Sequence, residues 1–402
     1  MKKLPLSGIR ILDLSRVVAA PTGVQILADL GADVIKVERP VTGDDGRNFG
    51  VWPFKGPDGK PTRDGSMFMS ANRNKRGITI DIATPAGQDL VRQLAAKSDV
   101  LFENYKTGDL ARYGLDHDAI KAINPRIIYV SVTGFGHTGP DRFKPGYDPI
   151  FQGRGGWMSI NGESDDNPTI AGSNAVDMVA GYFAAMSALA ALYHRDRADD
   201  PAGRGQAADI ALLDSALAAM SLRGMDYLLT GQQPARRENL GSVFPCKDGS
   251  IVVAAASPKN WESLCEVIGR PEWGTDPRYC THAARLQTRY EIYPLINEVT
   301  RTRGMVELSE KLDAAGVPVA PVYNFEQAFN DPQVIERGMK VRARHGSGND
   351  MDMIASPIKL SDTPITEYKA PPQLGQHTDE VLKEVLGLDA EAIAALRAGK
   401  AI

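Results

Sequence analysis

Short apolar runs alternate with helically spaced segments along the first third of the chain. Ile9–Leu14 is one such run, a helical pattern opened by Pro21 closes near Gly31, and Val34–Val37 follows, which predicts a βαβ unit over 8–39. The pattern returns at 78–103. There Ile78–Ile82 leads into Thr84-Pro85, a capping residue followed by proline at the first helical position, and Val100–Phe102 predicts the next strand. After the Asn124-Pro125 break, Ile127–Val132 predicts a further one. Repeated strand and helix alternation argues for a parallel sheet covered by helices, so the first half reads as a Rossmann-like α/β domain.

Downstream, Met178–His194 and about Ile210–Leu229 carry helical patterns, and Gly231 ends the second. Gln232-Gln233-Pro234 and Arg236-Arg237-Glu238 read as a linker. Val243–Cys246, Lys247-Asp248-Gly249 and Ile251–Ala255 then read as a hairpin with an Asp-Gly turn. The expected division is a large Rossmann-like domain over 1–205, a helical linker over 206–235, a smaller α+β domain over 236–322, and a tail over 323–402 that returns to the large domain.

Across 402 residues, 46 Lys+Arg against 50 Asp+Glu leave a net charge of -4, which argues against nucleic acid as a partner but allows a local basic pocket. The 3 cysteines have no CxxC spacing, which predicts a reducing compartment and no zinc site. Arg10 and Asp13 break any signal-like apolar run, and the uncharged stretch Met178–Tyr193 falls short of the roughly 20 residues a bilayer span needs. A cytoplasmic location without a membrane partner is the expectation. Gly134-Phe-Gly136-His-Thr-Gly139 spells GxGxxG, but Pro140 and Pro145 follow where a dinucleotide fingerprint must open a helix, so a strand-end loop is the reading. No GxxxxGK[ST], HExxH or GxSxG is present.

Asp177 stands between the uncharged segments Ala171–Val176 and Met178–Tyr193. From position alone an N-cap is favoured over catalysis, although a carboxylate kept ionised at a helix start is also a nucleophile. Arg39, Lys75, Arg76, Lys106 and Arg112 fall near predicted strand ends, where solvated charge is the default and a phosphorylated ligand the alternative.

Several segments in order along nearly the whole chain resemble the class III CoA-transferase family, whose members include formyl-CoA and carnitine CoA-transferases. They are Leu6–Ser15, Leu30–Arg39, Asn74-Lys-Arg76, Glu103-Asn-Tyr105, Gly146-Tyr-Asp148, Asp177-Met-Val-Ala-Gly181, Gly203-Arg-Gly-Gln206 and Leu374-Gly-Gln-His-Thr378. The resemblance implies transfer of CoA from an acyl-CoA donor to a free carboxylic acid without metal or redox cofactor, by a homodimer of interlocked rings. It makes Asp177 the catalytic aspartate, passing through an aspartyl anhydride and an aspartyl-CoA thioester, and Asp148 the second active-site acid. From the residues alone, Asp148 is a loop aspartate bonded to nearby backbone N–H groups. The family's CoA contacts fall on Val18, Ala19, Arg39, Asn104, Tyr105, Lys106, Arg112 and Tyr147, with Arg39 and Arg112 as phosphate partners.

The family is also similar to α-methylacyl-CoA racemases, which carry a histidine base just before the second acid. Tyr147 stands there, and tyrosine, with a reference pKa near ~10, is a poor base at neutral pH, which favours transfer. Formyl-CoA transferases carry glutamine at the position of Val18 and a glycine-rich loop not found here, so a short-chain or dicarboxylic pair such as succinyl-CoA with another dicarboxylate is expected. A racemase, and a CoA-binding protein without catalysis in which Asp177 is only a cap, are the alternatives.

Overall fold

The computed structural model describes residues 3–49, 53–164, 166–197, 203–234, 236 and 241–402; the expected linker residues Arg237 and Glu238 lie outside them. Six strands, β1 (Arg10–Asp13), β2 (Asp33–Glu38), β3 (Lys75–Thr79), β4 (Val100–Glu103), β5 (Ile128–Thr133) and β6 (Ala207–Ala211), form one parallel sheet. Their order is β3-β2-β1-β4-β5-β6. This is the doubly wound arrangement, in which the order reverses between β1 and β4.

Side chains of successive strand residues point to opposite faces, so each strand feeds two cores. Ile11 lies opposite Val34 and Val100, and these join Phe102, Ile128 and Val130 beneath helices α1 (Ala19–Asp29) and α4 (Ala175–Arg197). Leu12 lies opposite Ile35 and Leu101 on the other face, with Leu90, Val91 and Leu94 of α2 (Pro85–Ala96). Thr84 caps α2 by accepting from the Gly87 N–H at 3.0 Å, as its Thr-Pro start implies. After Gly338 the chain re-enters this unit, and Val381, Leu382 and Ile393 are buried in that second core.

Two expectations change. The segment from Ile210 is not wholly helical: Ala207–Ala211 is the edge strand β6, and the helix α5 (Leu212–Ala219) starts only after it. An alanine-rich run carries too little β-branching to betray a strand. The helix over Asp177 also begins earlier than its apolar pattern, at Ala175, and runs 23 residues. By length and composition alone it is apolar enough to cross a membrane. Here it is a core helix, with Ala180, Ala184 and Ala188 fully buried.

Helices α4 and α1 meet on glycines. A Cβ on Gly181 would lie 2.4 Å from the Ala19 carbonyl oxygen, and one on Gly23 would lie 2.3 Å from that of Gly181. Gly181→Ala is therefore expected to force the helices apart, with a loss of about 1–3 kcal/mol from overpacking. Because Gly181 sits one turn beyond Asp177, activity should fall together with the melting temperature, measured on the same preparation.

A second compact unit, Pro234–Arg337, has its own three-stranded antiparallel sheet of Ser242–Pro245, Ser250–Val253 and Val319–Pro321. Phe244 pairs with Ile251 across the hairpin, and both are buried with Trp261, Cys265 and Leu308. This unit continues past 322 through two short helices, Phe325–Phe329 and Pro332–Glu336.

Candidate active site

Where the strand order reverses, the connections leaving β1 and β4 diverge and leave a crevice beyond the carboxyl ends of the strands. A cleft of about 300 Å³ occupies it, with Val18 and Ala19 from the first connection, Asn104, Tyr105 and Lys106 from the second, and Tyr147 and Asp177 opposite.

The first connection is held rigidly from below. Val17 has φ 68°, a left-handed conformation that is strained for a β-branched residue. Its N–H donates to Asp44 Oδ1 at 2.9 Å, and Asp44 Oδ2 receives the Lys36 ammonium at 2.8 Å. Asn104 closes the loop from the other side, accepting from the Arg16 N–H and donating to the Arg16 carbonyl, both at 2.8 Å. Beneath them Lys75 donates to Asp13, Asn72 and the Pro21 carbonyl at 2.9, 2.9 and 3.0 Å. Burial opposes both charges of this pair. It wins at Lys75, pushed down to about 8, because Lys36 repels it; it loses at Asp13, which two ammonium groups and Ser15 hold below the usual carboxylate range.

Asp177 is the third residue of α4, inside the first turn, so the expected N-cap role does not hold. Its carboxylate accepts one side-chain bond, from Asn174 Nδ2 at 3.1 Å. The capping function falls to Asp148, the first residue of α3 (Asp148–Arg154), whose Oδ2 accepts from the Val176 and Asp177 N–H groups at 2.8 and 3.0 Å. Its other oxygen accepts from Gln152 Nε2, and Gln152 in turn accepts from the Ala171 N–H at 2.8 Å. Asp148 is thus a buried positioning residue behind Asp177, bonded to backbone far along the chain rather than nearby. Burial pushes the Asp177 carboxyl up to about 6, the Asn174 bond opposes this, and the Asp148 charge adds to it. A partly desolvated carboxylate with few hydrogen bonds, opening on a cleft, is suited to act as a nucleophile.

The cleft therefore gathers Val18, Ala19, Asn104, Tyr105, Lys106, Tyr147 and Asp177. Arg39 lines a small adjoining recess with Arg16 and Tyr105, its guanidinium paired to Asp45. Arg112 borders neither cavity and lies over the Tyr113 ring at 4.6 Å. Lys75 is fully buried in the network below and is not free for a ligand. Arg76 pairs with Asp33 at the opposite, amino-terminal end of the strands. Gly134–Gly139 opens no helix, as expected of a strand-end loop. Arg16, Asp44, Gln152 and Asn174 escaped the sequence reading. Asp44 and Asn174 carried usable signals, a short polar residue ahead of a turn and one directly ahead of a helix start.

A family profile described as CoA-transferase family III matches residues 6–378. A protein from Agrobacterium fabrum named succinate–glutarate CoA-transferase is 38% identical over 390 residues, 96% of each chain. One from Mus musculus named succinyl-CoA:glutarate CoA-transferase is 36% identical, covering 97% of this chain and 88% of its own. A crystal structure of a CAIB/BAIF family protein from Brucella suis superposes with TM-score 0.86 at 36% identity, over 96% of this chain and 100% of that one.

Proposed function

The chain belongs to CoA-transferase family III, and from that premise we propose that it exchanges CoA between succinyl-CoA and a second dicarboxylic acid through a covalent Asp177 intermediate. The observation that carries this reading is the desolvated Asp177 carboxylate, open to the crevice between the β1 and β4 connections and carried on a backbone whose N–H is held by Asp148. The names of the two relatives supply the dicarboxylic substrate class.

The reaction is a sequence of acyl exchanges. An Asp177 oxygen attacks the thioester carbonyl and the C–S bond breaks, giving an acyl-aspartyl anhydride and CoA thiolate. The thiolate attacks the aspartyl carbonyl, releasing the donor carboxylate and leaving an aspartyl-CoA thioester. The acceptor carboxylate then attacks that thioester to form a second anhydride and thiolate. Attack of the thiolate on the acceptor carbonyl yields the new acyl-CoA and restores the Asp177 carboxylate. Every step exchanges one carboxylate or thiolate for another, so no metal or redox group is required. Binding energy from the nucleotide part of CoA keeps the thiolate near the anhydride.

Incubation of succinyl-CoA with a panel of carboxylic acids, followed by mass spectrometry, tests the reading: acceptor-dependent acyl-CoA and a CoA adduct on the Asp177 peptide are expected. Turnover of a chiral 2-methylacyl-CoA in D₂O with rapid C2 exchange and no adduct would replace it with racemisation. Arg39→Ala should raise KM for acyl-CoA several-fold with kcat little changed, because Arg39 adjoins the cleft and suits phosphate oxygens. The same change at Arg112, which borders neither cavity, should have a smaller effect, compared in steady-state assays at two salt concentrations.

The reading includes a cytoplasmic homodimer. The helix Ser221–Thr230 leaves Leu222, Leu228 and Leu229 71%, 75% and 77% exposed, an apolar strip that a second copy would cover. A monomer in sedimentation at micromolar concentration would remove that element.

A further inference from the structure

One buried acid beside the cleft has no part in the reaction above. Glu103 ends β4 and lies in register with Ser131 on β5. Its Oε1 accepts from the Ser131 hydroxyl, and that hydroxyl oxygen is shared with His137 Nε2 at 2.7 Å. Its Oε2 accepts from the Tyr105 N–H at 2.7 Å, in the connection that forms one wall of the Asp177 cleft. Glu103 and Ser131 are buried, whereas His137, in the glycine-rich loop after β5, is exposed. The loop itself is anchored: the His137 N–H donates to Asp209 Oδ2 at 2.9 Å and the Gly136 N–H to Thr133 Oγ1 at 2.9 Å. A three-group chain thus runs from solvent to the backbone of Tyr105.

We propose that Glu103, Ser131 and His137 form a proton relay that positions the Asn104–Tyr105–Lys106 connection for CoA, holding it when Glu103 is ionised and loosening it when a proton arrives through His137. The proposal rests on the reading of the Asp177 cleft as the CoA site.

The chain can be satisfied in two directions. With Glu103 ionised, the Ser131 O–H donates to Oε1 and the His137 Nε2–H donates to the Ser131 oxygen. A proton taken from solvent at His137 Nδ1 lets Nε2 pass its proton to the Ser131 oxygen while the Ser131 hydroxyl proton moves to Oε1. Glu103 is then neutral and donates to Ser131, Ser131 donates to the Nε2 lone pair, and His137 is neutral with its proton on Nδ1. One proton has entered, and every donor still has an acceptor. What changes is the bond to Tyr105: a carboxylate accepts a backbone N–H about twice as strongly as a neutral carboxyl does.

The surroundings set this exchange near neutrality. Burial pushes Glu103 up to about 7; the Ser131 and Tyr105 bonds and the Arg16 charge oppose it, and the Asp209 charge adds to it. Arg16 belongs to the connection after β1 and Asp209 to β6. Tyr129 on β5, Asp116 and His117 between β4 and β5, and Lys106 face the same second cavity of about 420 Å³, which shares Lys106 and Thr107 with the Asp177 cleft. The Tyr129 phenol is itself raised by burial and by Glu103, so it stays neutral and does not compete for the proton.

Glu103→Gln tests the relay, because the amide keeps an oxygen for the Tyr105 N–H and a donor for Ser131 but cannot titrate. In wild type, KM for acyl-CoA should rise several-fold as pH falls from 8 to 6. In Glu103→Gln it should be flat at the high value, while the acid limb of kcat set by Asp177 remains. Ser131→Ala removes a donor that favours the ionised form, so the KM limb should move to higher pH, and Ser131→Thr should restore it. Nitrogen-15 NMR of histidine-labelled protein without CoA should find His137 protonated on Nε2 in wild type at pH 8 and on Nδ1 in Glu103→Gln. The same tautomer in both proteins overturns the relay itself, whatever the substrate is. A wild-type KM profile in either Glu103→Gln or Ser131→Ala overturns its coupling to CoA binding.

Discussion

Asp177→Asn is expected to lose CoA transfer by about 10³-fold or more while making the protein more stable at pH 8. The loss follows from the chemistry: the amide cannot displace a thiolate to give an anhydride, and removal of a nucleophile alone costs about this much or more in comparable covalent enzymes. The gain follows from linkage. Burial raises the folded-state carboxyl from 3.8 to about 6, so the folded protein holds this proton more tightly than the unfolded chain. Stability therefore falls as pH rises between these values, by roughly 3 kcal/mol once both states are ionised, from about 1.4 kcal/mol per pKa unit. The first turn of a helix favours an anion by about 0.3–1 kcal/mol, which offsets part of that cost. Asparagine carries no ionisation cost and still offers an oxygen to Asn174. Thermal melts should place Asp177→Asn above wild type at pH 8 and level with it near pH 4. A variant less stable than wild type at pH 8 would show that the Asp177 charge supports the fold instead of straining it.

Much of the large unit was legible because strand residues must alternate between two faces. Ile11 and Leu12, adjacent in sequence, enter different cores, and neighbouring apolar residues within a segment such as Ile9–Leu14 have that meaning only in a sheet covered on both sides. Strand β6 was not legible, since Ala207, Ala208 and Ala211 fit a helix as well as a strand and only pairing with β5 decides between them. Asp177 stood out as an acid in an apolar neighbourhood, but its role at the helix start was misjudged because the group that satisfies the first N–H groups comes from Asp148, 28 and 29 residues before its two donors. Lys75 shows the opposite failure: surface exposure is the usual state of a lysine, and only the three-dimensional meeting with Asp13, Asn72 and the Pro21 carbonyl overrides it. The strain at Val17 leaves no trace in sequence, because valine is not a residue that signals a left-handed backbone.

Asp148 carries the second large expected effect, and two substitutions separate its structural and electrostatic parts. Asp148→Ala removes the acceptor for the Val176 and Asp177 N–H groups and leaves both buried, with a loss of about 2–4 kcal/mol and a first turn of α4 free to shift. Because Asp177 belongs to that turn, displacement of its carboxylate by about 1 Å should lower kcat by about 10²-fold. Asp148→Asn keeps an oxygen for those donors but turns an amide N–H₂ or a weaker acceptor toward Gln152, whose own oxygen is committed to the Ala171 N–H. Its stability loss should be smaller, about 1–2 kcal/mol. The Asn variant also removes the negative charge that raises Asp177, leaving burial as the main cause. Asp177 must be ionised to attack, so in wild type kcat should rise with pH through about 6. In Asp148→Asn that acid limb should move to lower pH even though the plateau is reduced. Activity profiles from pH 4.5 to 8 with saturating acyl-CoA measure both quantities at once. An unmoved limb with a lower plateau would make Asp148 a purely steric support of α4, whereas a shifted limb ties the charge of the buried acid to the reactivity of Asp177.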